Sequence, residues 1–160
     1  MTGYIQNMRK YVGHETIIQC AASVIIVDEK GRILLGKRSD NHMWGYAGGA
    51  VEIDECVEEC AMRELMEEMG LTAEELEFFY INSGPETHYI YPNGDEVSNV
   101  EIIYICRKWS GTPKSQDGEL TELRFFEPCE VELRNISPPI RPVIKKFLEE
   151  EKYDKRNCER

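Results

Sequence analysis

The stretch Gly49-Ala50-Val51-Glu52-Ile53-Asp54-Glu55-Cys56-Val57-Glu58-Glu59-Cys60-Ala61-Met62-Arg63-Glu64-Leu65-Met66-Glu67-Glu68-Met69-Gly70-Leu71 decides the reading of this chain. Its apolar residues recur at helical spacing. On a wheel of about 100° per residue with Val57 at the origin, Val57, Ala61, Leu65 and Met69 fill an arc of about 120°. Glu68 falls inside that arc at about 20°, Glu64 just outside it at about 340°, and Glu67 at about 280°. Three carboxylates three and four residues apart leave one side of a helix together, and the Glu68 end of their range points at the core. An inward anion is costly unless a cation meets it. Hard divalent ions such as Mg²⁺ take carboxylate oxygens, so the pattern predicts a metal site. Asp54 is the expected N-cap, with Glu55 in the first turn and Gly70 closing the helix. Abundance of acid alone proves nothing, since Glu58 and Glu59 belong to the same stretch and suit the positive end of the helix dipole.

Outward from this helix, the chain reads as strands and turns. Thr16 to Val27 is rich in β-branched residues, Asp28-Glu29-Lys30-Gly31 is a turn, and Arg32 to Lys37 is a second strand. Arg38 to His42 is a polar loop, and Trp44-Gly45-Tyr46-Ala47-Gly48 leads into the acidic helix. Leu76 to Ile81, His88 to Tyr91, Val97 to Lys108 and Leu123 to Phe126 read as further strands. The turn Pro92-Asn93-Gly94-Asp95 separates two of them. Pro138 and Pro139 open a last helix over residues 140–150. Hairpins, one acidic helix and a terminal helix imply an α/β fold, helices packed on a mixed sheet. Residues 1–15 read as an N-terminal arm, 16–150 as a single domain, and 151–160 as a charged, frayed tail.

Composition narrows the function. The chain has 160 residues, with thirty acidic against nineteen basic and a net charge of −11. That balance opposes stable binding to nucleic acid or to an anionic membrane. No apolar run approaches the ~20 residues of a membrane span, and the N-terminus lacks the apolar region of a signal peptide. Six cysteines without a C-x-x-C pair suggest reduced thiols in a cytoplasm. Cys56 and Cys60 lie one helical turn apart, which fits ordinary packing better than a soft-metal site.

Gly49, Glu55, Arg63, Glu64, Leu65, Glu67, Glu68, Gly70 and Leu71 fill every position of the pattern G-x5-E-x7-R-E-U-x-E-E-x-G-U, where U is bulky and apolar. The chain thus resembles the Nudix hydrolases. The resemblance implies an α/β/α sandwich around a mixed sheet. It implies a metal-dependent pyrophosphohydrolase that cleaves the phosphoanhydride of a nucleoside diphosphate linked to another moiety, such as a nucleoside triphosphate, a nucleotide sugar or a dinucleoside polyphosphate. Position by position, Glu64, Glu67 and Glu68 would ligate Mg²⁺ or Mn²⁺ with a backbone carbonyl near Gly48, and one of the glutamates, most often Glu64, would instead activate water. Glu55 and Arg63 would pair to fix the loop against the helix, and Gly49 would allow close approach. A loop glutamate in relatives points to Glu119 as a further ligand or base, with Glu122 structural. The chain departs from relatives in carrying Tyr46-Ala47 where many have Leu-Pro, which removes a rigid proline from the loop. Pro85 suits ADP-ribose substrates and Tyr89 suits dinucleoside polyphosphates, so that pair does not decide. Tyr89 and Trp44 are the candidate substrate contacts. The arm resembles one in bacterial members of unassigned substrate and can cover a neighbouring subunit in a homodimer. A catalytically silent nucleotide sensor of the same fold is the alternative, disfavoured by the intact glutamates.

Overall fold

The computed structural model describes residues 3–151. Its centre is β1 (Ile17–Val27), whose last seven residues are all buried. Burial on both faces is what a β-branched run such as this one supports. Beside it runs β7 (Glu96–Ser110), parallel and in register from Ile17 opposite Val97 to Ile26 opposite Cys106. Every other pairing in the sheet is antiparallel: β2 (Ile33–Arg38) and β4 (Ala47–Ala50) on β1, β3 (Trp44–Gly45) and β8 (Leu120–Phe126) on β2, and β5 (Thr72–Asn82) and β6 (His88–Ile90) on β7. The result is one mixed sheet of eight strands.

The alternation of β1 assigns its two faces. Ala22, Val24 and Ile26 join Leu65 and Met69 of α2 (Val57–Met69) in one apolar cluster. Ile25 and Val27 join Val143, Ile144 and Phe147 of α3 (Arg141–Glu150) in the other. Burying one Leu or Ile side chain contributes about 1.5–3 kcal/mol, so each helix is fixed chiefly by such residues. Helices on both faces of a mixed sheet give the sandwich expected from the sequence.

A split in the pairing of β1 matters for the site. Its C-terminal end pairs with β2 through Ile26 and Val27, while Ala21 to Val24 pair with β4. The chain between β2 and β4 therefore opens a gap in the sheet edge, floored by β1 and β7.

Several boundaries differ from expectation for identifiable reasons. The acidic helix starts at Val57 with Cys56 as N-cap, because Asp54 sits at φ 62° in a left-handed turn and cannot take the extended backbone of a cap. Glu59 instead reaches back to the Cys56 N–H at 3.4 Å. Gly70 ends the helix in the left-handed conformation (φ 68°), as expected. The arm contains a helix, α1 (Tyr4–Val12), whose Tyr4 N–H donates to Glu52 at 2.8 Å and whose Arg9 donates to the Glu96 carbonyl at 2.7 Å. Of the expected charged tail, residues 152–160 lie outside the described residues. Cys20, Cys56, Cys60 and Cys106 carry free thiols, whereas Cys129 is disulfide-bonded, against the expectation that the cysteines are reduced.

Candidate active site

The helix presents its carboxylates in the graded order of the wheel. Glu68 is 5% exposed, in the arc of Leu65 and Met69. The Glu64 side chain is 14% exposed and that of Glu67 is 52% exposed. Facing them is the loop-strand Ala47–Ala50, held on β1 with Gly48 opposite Ser23 and Gly49 opposite Ala22. The Gly48 N–H donates to Glu68 at 3.4 Å. A Cβ on Gly49 would lie 2.5 Å from the Glu64 carboxylate and would push that side chain aside.

Arg63 ties loop to helix. Its Nε and one terminal nitrogen grip Glu55 at 2.6 and 2.8 Å, a bidentate pair. The same guanidinium donates to the Ala50 carbonyl at 3.2 Å and to Glu64 at 2.6 Å, with Glu67 at 3.3 Å. The Glu52 N–H adds a bond to Glu55 at 2.9 Å. Arg63 above all holds the Glu55 carboxyl down at about 2.

The remaining acids share one electrostatic field. Burial, then Glu64 and Glu119, push Glu68 well above the usual carboxylate range, against Arg38 and the Gly48 N–H. Burial also raises Glu64, with Arg63 opposing and Glu67 and Glu119 adding. Glu119 is raised by burial and Asp117, with Glu67 among the further causes. The loop before β8 thus brings Glu119 to the acidic group; its backbone carbonyl is tied to the Ser39 N–H at 2.8 Å. Glu122, opposite Lys37 on β8, is exposed and does not join it.

These acids do not converge on one point. Among the described residues, no three His, Cys, Asp or Glu side chains are placed to enclose a metal ion. The cause is visible: Glu64 is turned onto Arg63, where it relieves repulsion from Glu67 and Glu68. The donor set nevertheless fits a hard divalent cation. It is all carboxylate oxygen, it has a glycine-lined wall, and Glu68 is buried with no cationic hydrogen-bond partner to offset its charge.

A cleft of about 620 Å³, measured out to its open mouth, adjoins this group through the gap in the sheet edge. Arg38, Tyr46, Gly48, Gly49, Tyr89 and Glu101 are among its walls. Arg38 is held by Asp40 through two bonds at 2.9 and 2.8 Å, and its charge reaches Glu68 and Glu119 from the cleft side. Tyr89 stacks edge-on with Tyr91 at 5.0 Å and accepts from Asn41 at 3.1 Å. Trp44 does not line the cleft. It packs edge-on against Phe126 at 4.8 Å beside the α3-side core, away from the residues that line the cleft where a substrate contact was expected.

Sequence reasoning passed over Arg38 and Glu101 and treated Tyr46 only as a loss of rigidity. One signal was present: Glu101 is a lone acid in the apolar run Val100 to Cys106, where a buried charge demands a reason. The Tyr46 hydroxyl donates to that carboxylate at 3.2 Å. The loop that lacks a proline is therefore pinned by a buried hydrogen bond.

A family model of the NUDIX domain matches residues 18–147. The chain belongs to the Nudix family. A MutT-like protein of Streptomyces ambofaciens is 32% identical over 112 residues, 69% of this chain and 64% of that protein. An ADP-ribose pyrophosphatase of Methanocaldococcus jannaschii is 33% identical over 105 residues, 64% of this chain and 58% of that protein. The chain thus matches under two thirds of the length of these two relatives. The crystal structure of a MutT NUDIX hydrolase from Burkholderia pseudomallei superposes with a TM-score of 0.67 at 25% identity, covering 81% of this chain and 97% of that one. The Nudix fold is thus shared over most of the chain, and no described helix is long and apolar enough to cross a membrane.

Proposed function

We propose that the chain is a metal-dependent pyrophosphohydrolase acting on a nucleoside diphosphate linked to another moiety. The observation that carries this reading is Glu68: a carboxylate buried on the core face of α2, beside Glu64 and a glycine strand, with no cation hydrogen-bonded to it among the described residues. Retaining such a group has a cost of several kcal/mol that bound metal would offset. Glu64, Glu67 and Glu68, with the Gly48 carbonyl, are the residues that would hold Mg²⁺ or Mn²⁺, and Glu119 stands close enough in field to serve as a further ligand or base. A metal held there would supply charge neutralisation for the phosphates and a lowered pKa for the attacking water.

The chain's own residues supply the rest. Arg63 and Glu55 hold the glycine strand against the helix, which sets the spacing between carboxylates and substrate phosphates. Arg38, fixed by Asp40 at the cleft wall, faces an incoming phosphate with a permanent cation. In place of ligating the metal, Glu64 would take a proton from water; burial raises its affinity for one, as it does for Glu68 and Glu119. The gap in the sheet edge leads from these groups into the cleft, where the remainder of the substrate would lie. The names of relatives such as the ADP-ribose pyrophosphatase support a nucleotide-derived substrate. A cytoplasmic location is part of the proposal; the four free thiols favour it and the disulfide of Cys129 counts against it.

A panel of nucleoside triphosphates, nucleotide sugars and dinucleoside polyphosphates, assayed with Mg²⁺ and with excess EDTA, tests the proposal. Release of a nucleoside monophosphate from at least one of them, abolished by EDTA, is expected. Turnover unchanged by EDTA would overturn the metal dependence, and no turnover of any would overturn the proposal and favour a silent sensor.

A further inference from the structure

None of the nine residues of α1 is buried, so the helix adds little to either core. A helix this short does not hold its shape alone, since isolated helices below about 12–15 residues are marginal in water. Polar contacts near its two ends set its place. Those contacts reach two different walls of the cleft.

The first end meets the metal loop. The Tyr4 N–H donates to Glu52 Oε2 at 2.8 Å, and a Cβ on Gly3 would come within 2.5 Å of Glu52 Oε1. The Glu52 N–H in turn donates at 2.9 Å to Glu55, the carboxylate gripped by Arg63.

The second end meets the turn between β6 and β7. Arg9, its side chain 11% exposed, donates to the carbonyls of Gly13 at 3.1 Å, Glu15 at 2.7 Å and Glu96 at 2.7 Å. Its Nε is buried without a hydrogen-bond partner, and the Asp95 carboxylate stands 3.7 Å from it. Asp95 also accepts from His14 Nδ1 at 2.7 Å, and its carbonyl takes the Tyr91 N–H at 2.8 Å. A buried cation answered mainly by neutral carbonyls is costly to place. This one sits where the arm, β7 and the hairpin meet.

That hairpin carries Tyr89 and Tyr91, which line the cleft together with Gly48 and Gly49. The strand order β4, β1, β7, β6 sets the glycine strand and the tyrosine hairpin on opposite sides of the cleft floor. Tyr91 also lies in the field of Arg38. We infer that α1 is a brace across the cleft, tying the metal loop to the aromatic wall, with Arg9 the positioning residue for that wall.

Hydrogen exchange of the metal-free full chain, read by mass spectrometry, tests the brace without any substrate. Arg9→Ala should speed exchange at least ~5-fold over residues 88–96 and also over 52–55, because a short helix that loses one anchor releases the other. Exchange in α3 and β2 should stay as in the parent. Asp95→Asn, which leaves the Arg9 bonds to Gly13 and Glu15 in place, should give the same pattern and decides the matter if Arg9→Ala does not fold. In Arg9→Ala, kcat/KM should fall at least ~5-fold, chiefly through KM, since Arg63 and the β4–β1 pairing still hold the metal side. This kinetic half rests on the proposed function. Unchanged exchange over 88–96, a change there without one over 52–55, a rise spread equally through α3 and β2, or a loss confined to kcat overturns the inference. A protein that turns over no nucleotide yet shows the exchange pattern would overturn the proposed function and leave the brace standing.

Discussion

Replacing Arg63 by alanine removes the clamp between the glycine strand and α2. The Glu55 carboxyl is shifted from 4.5 to about 2, with Arg63 the leading cause. At about 1.36 kcal/mol per unit this corresponds to roughly 3 kcal/mol. The pair stands near the surface, with the Arg63 side chain 30% exposed, so solvent screening reduces the figure to about 1.5–2 kcal/mol. For a chain of this size that lowers the melting temperature by about 3–8 °C. The sign with pH follows from the depressed carboxyl: its stabilisation is complete above 4.5, the unfolded value, and is lost as pH falls toward 2. Urea unfolding of parent and Arg63→Ala, in metal-free buffer at neutral pH and at steps below 4.5, measures both effects. The gap between them should be widest at neutral pH and narrow steadily in acid. Equal stability at neutral pH, or a gap that persists undiminished in acid, would refute the assignment.

Other substitutions separate the roles further. Glu68→Gln should lower kcat/KM by at least ~10²-fold while metal-free stability holds or rises, since an unpaired buried charge is deleted; steady-state kinetics and calorimetric melting check it. Glu119→Gln should cost at least ~10-fold in kcat/KM and Glu122→Gln less than ~2-fold, because only the first shares the field of Glu64 and Glu68; equal effects in the same kinetic assay would remove Glu119 from the site.

Parts of this were legible in the chain and parts were not, for physical reasons. The wheel placed Glu68 inward and Glu67 outward because helical periodicity is set by local geometry, and the exposures of 5% and 52% follow it. β1 was legible because a doubly buried strand must be apolar along its length. The short strands Trp44–Gly45 and Ala47–Ala50 were not, since their glycines carry little strand preference and only pairing with β2 and β1 orders them. The arm helix owes its place to Arg9 and Glu52, contacts distant in sequence. The helix start was misplaced because a left-handed Asp54 cannot be told from a capping aspartate by residue type. Trp44 was expected at the substrate, and its ring packs on Phe126. Glu101 depended on which residues of neighbouring strands face it, which a single chain read linearly does not contain.

The central claim is that the carboxylates of α2 are placed to hold a divalent metal. Titration of the protein with Mn²⁺, followed by the loss of the free-ion electron paramagnetic resonance signal, tests it without reference to any substrate. The wild type should bind Mn²⁺, and Glu68→Gln should weaken that binding at least ~10-fold with its fold intact. Equal Mn²⁺ affinity in the two proteins would contradict the account.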